Sequence, residues 1–317
     1  MNKLAVIALG GNAITRSDQK GTIEQQEDNV KETLLNIVYL IKQGYNIVLT
    51  HGNGPQVGNI IQRNDAGEQL YGITQMPLDI CVADSQGGIG YLIERVLRNL
   101  LREENIKRDI LTLVTQVVVD KNDPAFKNPT KRIGKYYNLE EAKALEKEKK
   151  WKFKETAKKP GMYRRVVASP TPISIFNRDT ISKIARDGTI VIAVGGGGIP
   201  VYKNEKGELI GIEAVIDKDM ASSILAQRIK ADELYILTDV PYIYINFNKP
   251  NQKILEFLDT KDARKYLEEG QFGEGSMAPK IRAAVNFVEN GGEKSIITEA
   301  TKLENKNFGS KITLNYD

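Results

Sequence analysis

The chain contains one cysteine and one histidine among its 317 residues. A lone cysteine, Cys81, excludes an internal disulfide and a thiolate zinc cluster, and it favours a reducing compartment. A lone histidine, His51, excludes a multi-histidine metal site and argues against a Ser-His-Asp mechanism. We therefore expect Cys81 to be a small buried apolar residue and His51 to shape the loop in which it lies.

The sequence also lacks a long apolar run. No stretch approaches the roughly 20 residues that a membrane-spanning helix requires, and the first predicted strand begins at Leu4, which leaves no room for a cleavable secretion signal. These absences predict a cytoplasmic protein without a membrane partner. The formal charge of +4 is small for this length, so net charge gives no case for a nucleic-acid partner.

The familiar nucleotide-binding signatures are missing as well. There is no GxxxxGK[ST] motif, which disfavours a P-loop fold, and no HRD or DFG motif of the protein kinases. The run Gly195-Gly196-Gly197-Gly198 is followed by Ile199 and then Pro200, which stands where a dinucleotide fingerprint needs its third glycine. Any nucleotide site must therefore be built differently.

What is present is an alternation of short apolar runs with helical patterns. About 41% of the residues are hydrophobic, enough for a sizeable core. Strands alternating with helices favour a mostly parallel α/β sheet, whose ligand sites lie at the carboxyl ends of the strands. Strands are predicted at residues 4–9, 46–50, 110–119, 189–194, 233–238, 242–246 (as a neighbour of 233–238) and 294–298.

Positive charge is concentrated in one segment. Residues 121–165 contain 15 lysines and arginines against 6 acidic residues, with a helix predicted at 140–150. Two interpretations remain open. The segment is either a solvated surface insertion, as charge runs usually are, or a basic flap that closes over an anionic substrate.

Three of the predicted strands end in glycine-rich loops, at Gly10-Gly11-Asn12, at Gly52-Asn53-Gly54 and at the four-glycine run. Glycine after a strand permits a tight turn or a close approach of the backbone to a ligand. Backbone N–H groups in such loops can converge on an oxyanion, and a following helix adds the positive end of its dipole. Ordinary turns would explain any single loop, but three together favour an anion site.

Catalysis is then left to lysine and aspartate. Phosphoryl transfer depends mainly on positioning and on cations that neutralise the equatorial oxygens. Lys218 lies between Asp217 and Asp219, Lys280 lies at the start of a predicted helix, and Lys131 lies in the basic segment. Spacing alone does not select these three lysines over the others.

Taken together, these segments closely resemble the carbamate kinases of the amino acid kinase family along the whole chain. The resemblance is carried by Ala8 to Ala13, His51 to Gly58, Ser85-Gln86-Gly87, Gly90-Tyr91, Thr115-Gln116, Ala125 to Lys131, Gly195 to Pro200, Ala214 to Asp219, Ile236 to Val240 and Gly275 to Lys280. The Asn-Pro-Thr-Lys insertion and the Val-Ile-Asp-Lys-Asp run distinguish carbamate kinases within that family. The sequence departs from the family pattern between Pro160 and Ala168 and at Arg132, where proline is usual.

The resemblance implies a three-layer αβα sandwich around a mainly parallel eight-stranded sheet, formed by a single domain, residues 1–317. A protruding subdomain, residues 121–168, would be inserted in it; we refer to this segment as the basic flap. The implied partners are small molecules, carbamate and carbamoyl phosphate with ATP or ADP and Mg²⁺ carried by the nucleotide, and the implied assembly is a homodimer. No metal ligand among the side chains is expected.

The resemblance also implies a role for individual residues. Lys131, Lys218 and Lys280 would act on the phosphates, and Asp219 would organise the lysines. The residues expected to hold carbamate and the migrating phosphoryl group are Gly10, Gly11, Asn12, Gly52, Asn53 and Gly54. Those expected along the nucleotide are Thr238, Asp239, Val240, Tyr244 and Met277.

Two other functions remain open at this point. The altered stretch between Pro160 and Ala168 fits a regulator that binds nucleotide or carbamoyl phosphate with weak turnover. A kinase of another small carboxylate is the second alternative, although the protruding insertion argues against it. Nucleic acid is disfavoured as a partner, because no recognised binding module and no aromatic stacking platform accompany the charge.

Overall fold

The computed structural model describes residues 2–16, 18–156, 159–303 and 308–315. In chain order, the strands of this part are β1 Leu4–Leu9, β2 Asn46–His51, β3 Ile110–Thr112, β4 Gln116–Val119, β5 Lys131–Tyr137, β6 Lys152–Thr156, β7 Lys159–Val167, β8 Pro172–Ile175, β9 Ile190–Ile192, β10 Ile199–Lys203, β11 Leu209–Gly211, β12 Glu233–Thr238, β13 Ile243–Ile245, β14 Lys253–Leu255, β15 Phe257–Asp259, β16 Lys294–Glu299 and β17 Ser310–Thr313.

The helices are α1 Ile23–Lys42, α2 Gly54–Tyr71, α3 Leu78–Glu103, α4 Pro124–Lys127, α5 Leu139–Lys149, α6 Arg178–Arg186, α7 Lys218–Arg228, α8 Thr260–Glu268 and α9 Met277–Glu289. Several begin where the sequence supplies a cap. Thr22 and Gln25 form a reciprocal capping box at α1, and the Asp217 side chain accepts from two backbone N–H groups at the start of α7. Such caps satisfy N–H groups that have no partner within the helix.

The main sheet of the described residues has eight strands in the order β15-β17-β16-β12-β1-β2-β9-β3. The six strands from β16 to β3 run parallel to one another, while β17 pairs antiparallel with β16 and parallel with β15. The predicted mainly parallel eight-stranded sheet is therefore confirmed. Because β1, β2 and β9 are neighbours, the loops that follow them lie side by side.

Helices cover both faces of this sheet, and β1 shows how. Its residues alternate between two cores: Leu4 and Val6 pack with α6, α7, α8 and α9, whereas Ala5, Ile7 and Leu9 pack with α1 and α3. Each of these five side chains is at most 1% exposed. A strand buried on both faces reads as a continuous apolar run, which explains why the sequence predicted it well. The result is the expected three-layer arrangement.

The basic flap contains the three-stranded sheet β5-β7-β6 and helix α5. A third apolar cluster lies beneath it, where Ile133 and Val167 of the flap pack with residues of α2 and α3 such as Val57 and Cys81. Cys81 is buried, as expected. The subdomain boundaries at residues 121 and 168 stay a prediction.

The single strand predicted over residues 110–119 is wrong. The chain forms β3 in the main sheet and β4 in a separate sheet of order β11-β10-β4-β8. The buried Gln86 side chain explains the break, because it accepts from the Thr115 N–H and donates to the Thr115 carbonyl between the two strands. The Thr115 N–H is thereby withdrawn from backbone pairing, while its carbonyl also accepts from the Ile199 N–H of β10.

The segment at residues 242–246 was predicted as a neighbour of 233–238, and this is also wrong. It forms β13, which pairs antiparallel with β14 in a two-stranded sheet. Both edges of β12 are already occupied, by β1 and β16. The sequence analysis also missed β15 and β17, which complete the main sheet.

Candidate active site

The three glycine-rich loops meet at one edge of the main sheet. They follow β1, β2 and β9, which are adjacent and parallel. Two of them form short 3₁₀ turns, at Gly11–Ala13 and at Gly195–Gly197. The predicted meeting of these loops at the carboxyl ends of the strands is therefore seen in the structure.

Close packing explains why glycine is needed in these loops. A Cβ on Gly10 would lie 2.7 Å from the Leu237 carbonyl oxygen of β12, and one on Gly196 would lie 2.2 Å from Asn53 Nδ2. Gly196 also has φ +66°, which favours glycine. By contrast, a Cβ on Gly11 would meet nothing within 4 Å. Gly10 and Gly196 thus hold the loops together, whereas Gly11 presents its backbone to open space.

His51 lies under these loops and is only 1% exposed. Its Nδ1 is 2.9 Å from the Gly52 carbonyl oxygen, and since a carbonyl only accepts, Nδ1 carries the proton. Burial lowers the pKa of His51 to about 4, and the nearby Lys218 charge acts in the same direction. His51 is therefore neutral at pH 7 and braces the Gly52 loop, as expected from the sequence.

A second set of buried hydrogen bonds holds the Gly195 loop in place. Gln86 donates to the carbonyls of Thr115 and Gly195, at 3.2 and 2.9 Å, and the Thr115 hydroxyl accepts from the Val194 N–H. Asn53 donates to Ser85 on the same helix, α3, at 2.8 Å. The sequence motifs containing Ser85, Gln86 and Thr115 were noted, but their function in holding the loops was not.

Two lysines share one carboxylate beside these loops. Lys218 Nζ donates to Asp219 Oδ1 at 2.6 Å, and Lys280 Nζ donates to Asp219 Oδ2 at 2.9 Å. The three side chains are 16%, 14% and 6% exposed for Lys218, Lys280 and Asp219. The trio carries a net charge of +1 when all three groups are ionised, so it can attract an anion.

Electrostatics favour the ionised form of Asp219. Burial alone would raise the pKa of Asp219, but the two ammonium groups outweigh it and hold the pKa below its ordinary value. Burial lowers the pKa of Lys218, and repulsion from Lys280 adds to this, while Asp219 opposes both. The shared carboxylate is thus what allows two lysines to lie side by side in a mostly buried place.

Lys131 of the basic flap joins the cluster through Asp217. Its Nζ lies 3.4 Å from Asp217 Oδ2, and both side chains are about one-third exposed, at 38% and 32%. The structure therefore brings all three predicted lysines to the start of α7 or into contact with it. Helices α2 and α9 also begin in this region, at Gly54 and Met277, and helix N-termini favour anions.

A cavity of about 520 Å³ opens beside the loops. Of the predicted site residues it is lined by Gly10, Gly11, Asn12, Thr238, Asp239 and Lys280. Gly52 adjoins Lys218, whose Cδ would be 3.2 Å from a Cβ at that position. A neighbouring cavity of about 770 Å³ is lined by Lys131 and Asp217 at the base of the flap. Lys280 lines the first cavity and Lys131 lines the second, whereas neither cavity is lined by Lys218, Asp219, Gly52, Asn53 or Gly54.

Some predicted nucleotide residues lie apart from these linings. Val240, Tyr244 and Met277 line neither of the two cavities. Tyr244 lies in β13 with its ring 5.7 Å from that of Phe247, and Met277 packs against the core below α9. Their contact with nucleotide stays a prediction. Seven further residues that line the first cavity were not predicted from the sequence, because no motif contained them: Arg16, Asp18, Glu32, Thr33, Glu299, Ala300 and Thr301.

The described residues contain neither a metal-binding cluster nor a membrane-spanning helix. Within those residues, no group of three or more histidine, cysteine or acidic side chains is arranged to hold a metal ion. None of the helices in the same ranges is long and apolar enough to cross a bilayer.

Comparison with known proteins agrees with this geometry. The sequence model of the amino acid kinase family matches residues 3–299. The chain belongs to the amino acid kinase family. Carbamate kinase of Pyrococcus furiosus is 47% identical to it over 302 residues, which cover 95% of each chain. Carbamate kinase of Thermococcus kodakarensis is 49% identical over 296 residues, 93% of each chain.

Solved structures of the amino acid kinase family give the same result. Carbamate kinase from Giardia lamblia bound to AMP-PNP superposes with a TM-score of 0.92 at 39% identity, and the match covers 98% of each chain. The predicted resemblance to carbamate kinases and the predicted fold are therefore confirmed.

Proposed function

We propose that this amino acid kinase is a carbamate kinase, which transfers a phosphoryl group reversibly between ATP and carbamate. In the direction that we take as physiological, a β-phosphate oxygen of ADP attacks the phosphorus of carbamoyl phosphate. The bond between phosphorus and the carbamate oxygen breaks, and carbamate leaves with the electron pair. The observation that carries this proposal is the pair of lysines on Asp219 beside the converging glycine loops.

Each part of the site has a task in this reaction. The transition state spreads negative charge over three equatorial oxygens, and the ammonium groups of Lys218 and Lys280 neutralise it. Asp219 orients both ammonium groups. Lys131 reaches the same region from the flap. Lys218, Lys280 and Asp219 are held together before substrate arrives, so these three groups need little reorganisation during the reaction.

The glycine loops hold the small substrate in this proposal. Backbone N–H groups of Gly10, Gly11, Gly52 and Gly54 would bind carbamate and the migrating phosphoryl group, with Asn12 and Asn53 at the same loops. Thr238, Asp239, Val240, Tyr244 and Met277 would lie along the nucleotide. Mg²⁺ would enter bound to the nucleotide phosphates. The Asn12 amide lies 3.4 Å from Asp239 Oδ2, and this distance supports adjacent subsites for carbamate and nucleotide.

The test is an assay of ATP formation from ADP, Mg²⁺ and carbamoyl phosphate with the purified protein. We expect ATP well above an enzyme-free control. Tight calorimetric binding of the same substrates without ATP formation would instead select a regulator. ATP consumption with acetylglutamate, aspartate or glutamate, but not with carbamate, would select a kinase of another small carboxylate.

We also propose that the protein is a homodimer. Tyr91 of α3 and Leu111 of β3 are 65% and 42% exposed, and their elements pack together where Gly90 meets Thr112. A second copy would cover such side chains. Light scattering coupled to size-exclusion chromatography tests this, since a mass of one chain would contradict it.

A cytoplasmic location is also proposed, because ADP and ATP are cytoplasmic metabolites and the lone Cys81 forms no internal disulfide.

A further inference from the structure

Asp217 has two different contacts, one for each of its carboxylate oxygens. Oδ1 accepts from the backbone N–H groups of Asp219 and Met220, at 3.0 and 3.2 Å, and so caps helix α7. Oδ2 faces the ammonium group of Lys131 at 3.4 Å. A single side chain therefore touches both the helix that carries Lys218 and the flap that carries Lys131.

Strand pairing brings the segments that carry Lys131 and Asp217 together. Lys131, the first residue of β5, pairs with Val167 at the end of β7. The next residue, Ala168, forms a bridge with Ala214, and its carbonyl accepts from the Val215 N–H at 3.0 Å. The end of β7 thus lies between Lys131 on one side and the segment leading to Asp217 on the other. Backbone pairing therefore brings the two segments close enough for the two charges to meet.

The charge on Asp217 is not needed for capping alone. Asparagine and serine cap helices about as well as aspartate. A neutral cap, however, would leave the Lys131 ammonium without its carboxylate, on a long side chain that is 38% exposed. Long lysine side chains lose considerable rotamer freedom when they are held in one place. The carboxylate therefore restrains a side chain that would otherwise sample many positions.

We propose that Asp217 is a positioning residue, which fixes the Lys131 ammonium group at the phosphoryl site and couples the basic flap to helix α7. This inference rests on the proposed function. It concerns a residue that acts through Lys131 rather than on the substrate. Its removal should therefore matter only while Lys131 is present.

A double-mutant cycle tests that dependence. The variants are Asp217→Asn, Lys131→Met and the double variant, each assayed for ATP formation. Displacement of a catalytic group by about 1 Å costs on the order of 100-fold in rate, so we expect Asp217→Asn to lower kcat/KM by about 10- to 100-fold. In the Lys131→Met background the same change should have almost no further effect. Losses that simply multiply would overturn the proposal.

Asp259→Asn is the matched control, because Asp259 caps α8 in the same way, by accepting from the Asp262 N–H. It also changes one capping carboxylate to an amide, and it should leave kcat/KM unchanged. Thermal unfolding of each variant shows whether the fold is kept. If Asp217→Asn fails to fold, Asp217→Ser, which is also a good cap, takes its place in the cycle.

A second measurement does not depend on turnover. Acetylation of lysines by a small amine-reactive reagent, followed by mass spectrometry, reports how freely each ammonium group is reached. Lys131 should react faster in Asp217→Asn than in the wild type, while the exposed Lys143 and Lys147 of α5 should not change. No change at Lys131 would contradict the proposal. Wild-type protein that makes no ATP would remove the proposed function, and the acetylation result alone would then decide the role of Asp217.

Discussion

At the scale of single residues, His51 shows how burial changes chemistry. It is the only histidine of the chain, and burial lowers its pKa from 6.5 to about 4. An unfolded chain therefore takes up a proton on this side chain at a pH where the folded protein does not. Above pH 6.5 this difference in protonation costs no stability. As the pH falls from 6.5 towards the folded pKa of about 4, the free energy of unfolding decreases.

We predict that the free energy of unfolding falls by about 2 kcal/mol between pH 6.5 and pH 5 because of His51, since one pKa unit corresponds to about 1.4 kcal/mol. In His51→Asn, whose side chain does not titrate, this part of the decrease should be absent. Urea unfolding at the two pH values measures both. An equal decrease in the variant and the wild type would contradict the assignment.

Gly10 and Gly11 are neighbours, but we expect alanine substitutions at the two positions to have different effects on stability. Gly10→Ala places a Cβ against the Leu237 carbonyl, and overpacking of this kind costs about 1–3 kcal/mol. Gly11→Ala has free space, so we expect less than about 0.5 kcal/mol. Its methyl group would nevertheless occupy the cavity, so ATP formation should fall. Urea unfolding and the ATP assay, run on both variants, compare the two effects; a destabilised but fully active Gly11→Ala would contradict this account.

The site could be predicted from single residues only in part. Glycines directly after apolar runs predicted the loops, because the signal for such a loop lies in residues that are adjacent in the sequence. The choice of Lys131, Lys218 and Lys280 came from the resemblance, since the contacts through Asp217 and Asp219 depend on segments far apart in the chain. The function of Gln86 was missed for the same reason: its partners Thr115 and Gly195 are 29 and 109 residues away.

At the scale of elements, strands that are buried on both faces were predicted well from their local residue pattern. Strands whose place depends on the partner strand with which they pair were not. β1, β2 and β12 are continuous apolar runs and were predicted nearly to the residue. The flap strands β5, β6 and β7 were missed, because lysines and arginines on both faces hide the alternation. β13 was assigned to the wrong sheet, since nothing in its own residues reports that β12 already has two neighbours.

The basic flap contains a fluorescent side chain whose emission would report a change in its surroundings. Trp151, the only tryptophan, has the Arg165 guanidinium 3.8 Å from its ring centroid. Burial lowers the pKa of Arg165 to about 10, and this side chain also forms an ion pair with Glu213. The flap's own cations lie over several of its aromatic rings, with Lys135 over Tyr137, Lys149 over Trp151 and Lys159 over Tyr136.

If the flap closes over an anionic substrate, the surroundings of Trp151 change. We predict a saturable change in tryptophan emission when the non-hydrolysable analogue AMP-PNP is added with Mg²⁺. Trp151→Phe should abolish the signal without abolishing binding measured by calorimetry. Saturable binding to the wild type with unaltered emission would argue for the alternative, a solvated insertion that does not move.

At the scale of the whole molecule, a buried charge network lies at the end of the strands opposite the candidate site. The fully buried Glu233 begins β12, where it accepts from Tyr235 and Tyr45 and pairs with Lys3 and Lys294. Burial would raise the pKa of Glu233, but these donors and cations together lower it. Thr238, at the other end of β12, lines the candidate site.

We predict that Glu233→Gln lowers the free energy of unfolding by about 1–2 kcal/mol, a value reduced because Lys3 and Lys294 are partly exposed and screened. KM and kcat should be unchanged, because the loops are a strand length away. Glu146→Gln on the exposed face of α5 is the control and should alter neither quantity. A fall in kcat without a loss of stability would contradict this division.

The whole account depends on the cationic cluster at the carboxyl edge of the sheet, and kcat of Lys218→Met tests it most directly. Methionine keeps an unbranched side chain only one atom shorter and removes the charge, while Lys280 still pairs with Asp219. Loss of one such transition-state contact costs about 100- to 1,000-fold, so we predict a fall in kcat of that size with the fold retained. Lys206→Met, at an exposed hairpin turn, should leave kcat unchanged. Unaltered turnover in a folded Lys218→Met would contradict the proposed mechanism.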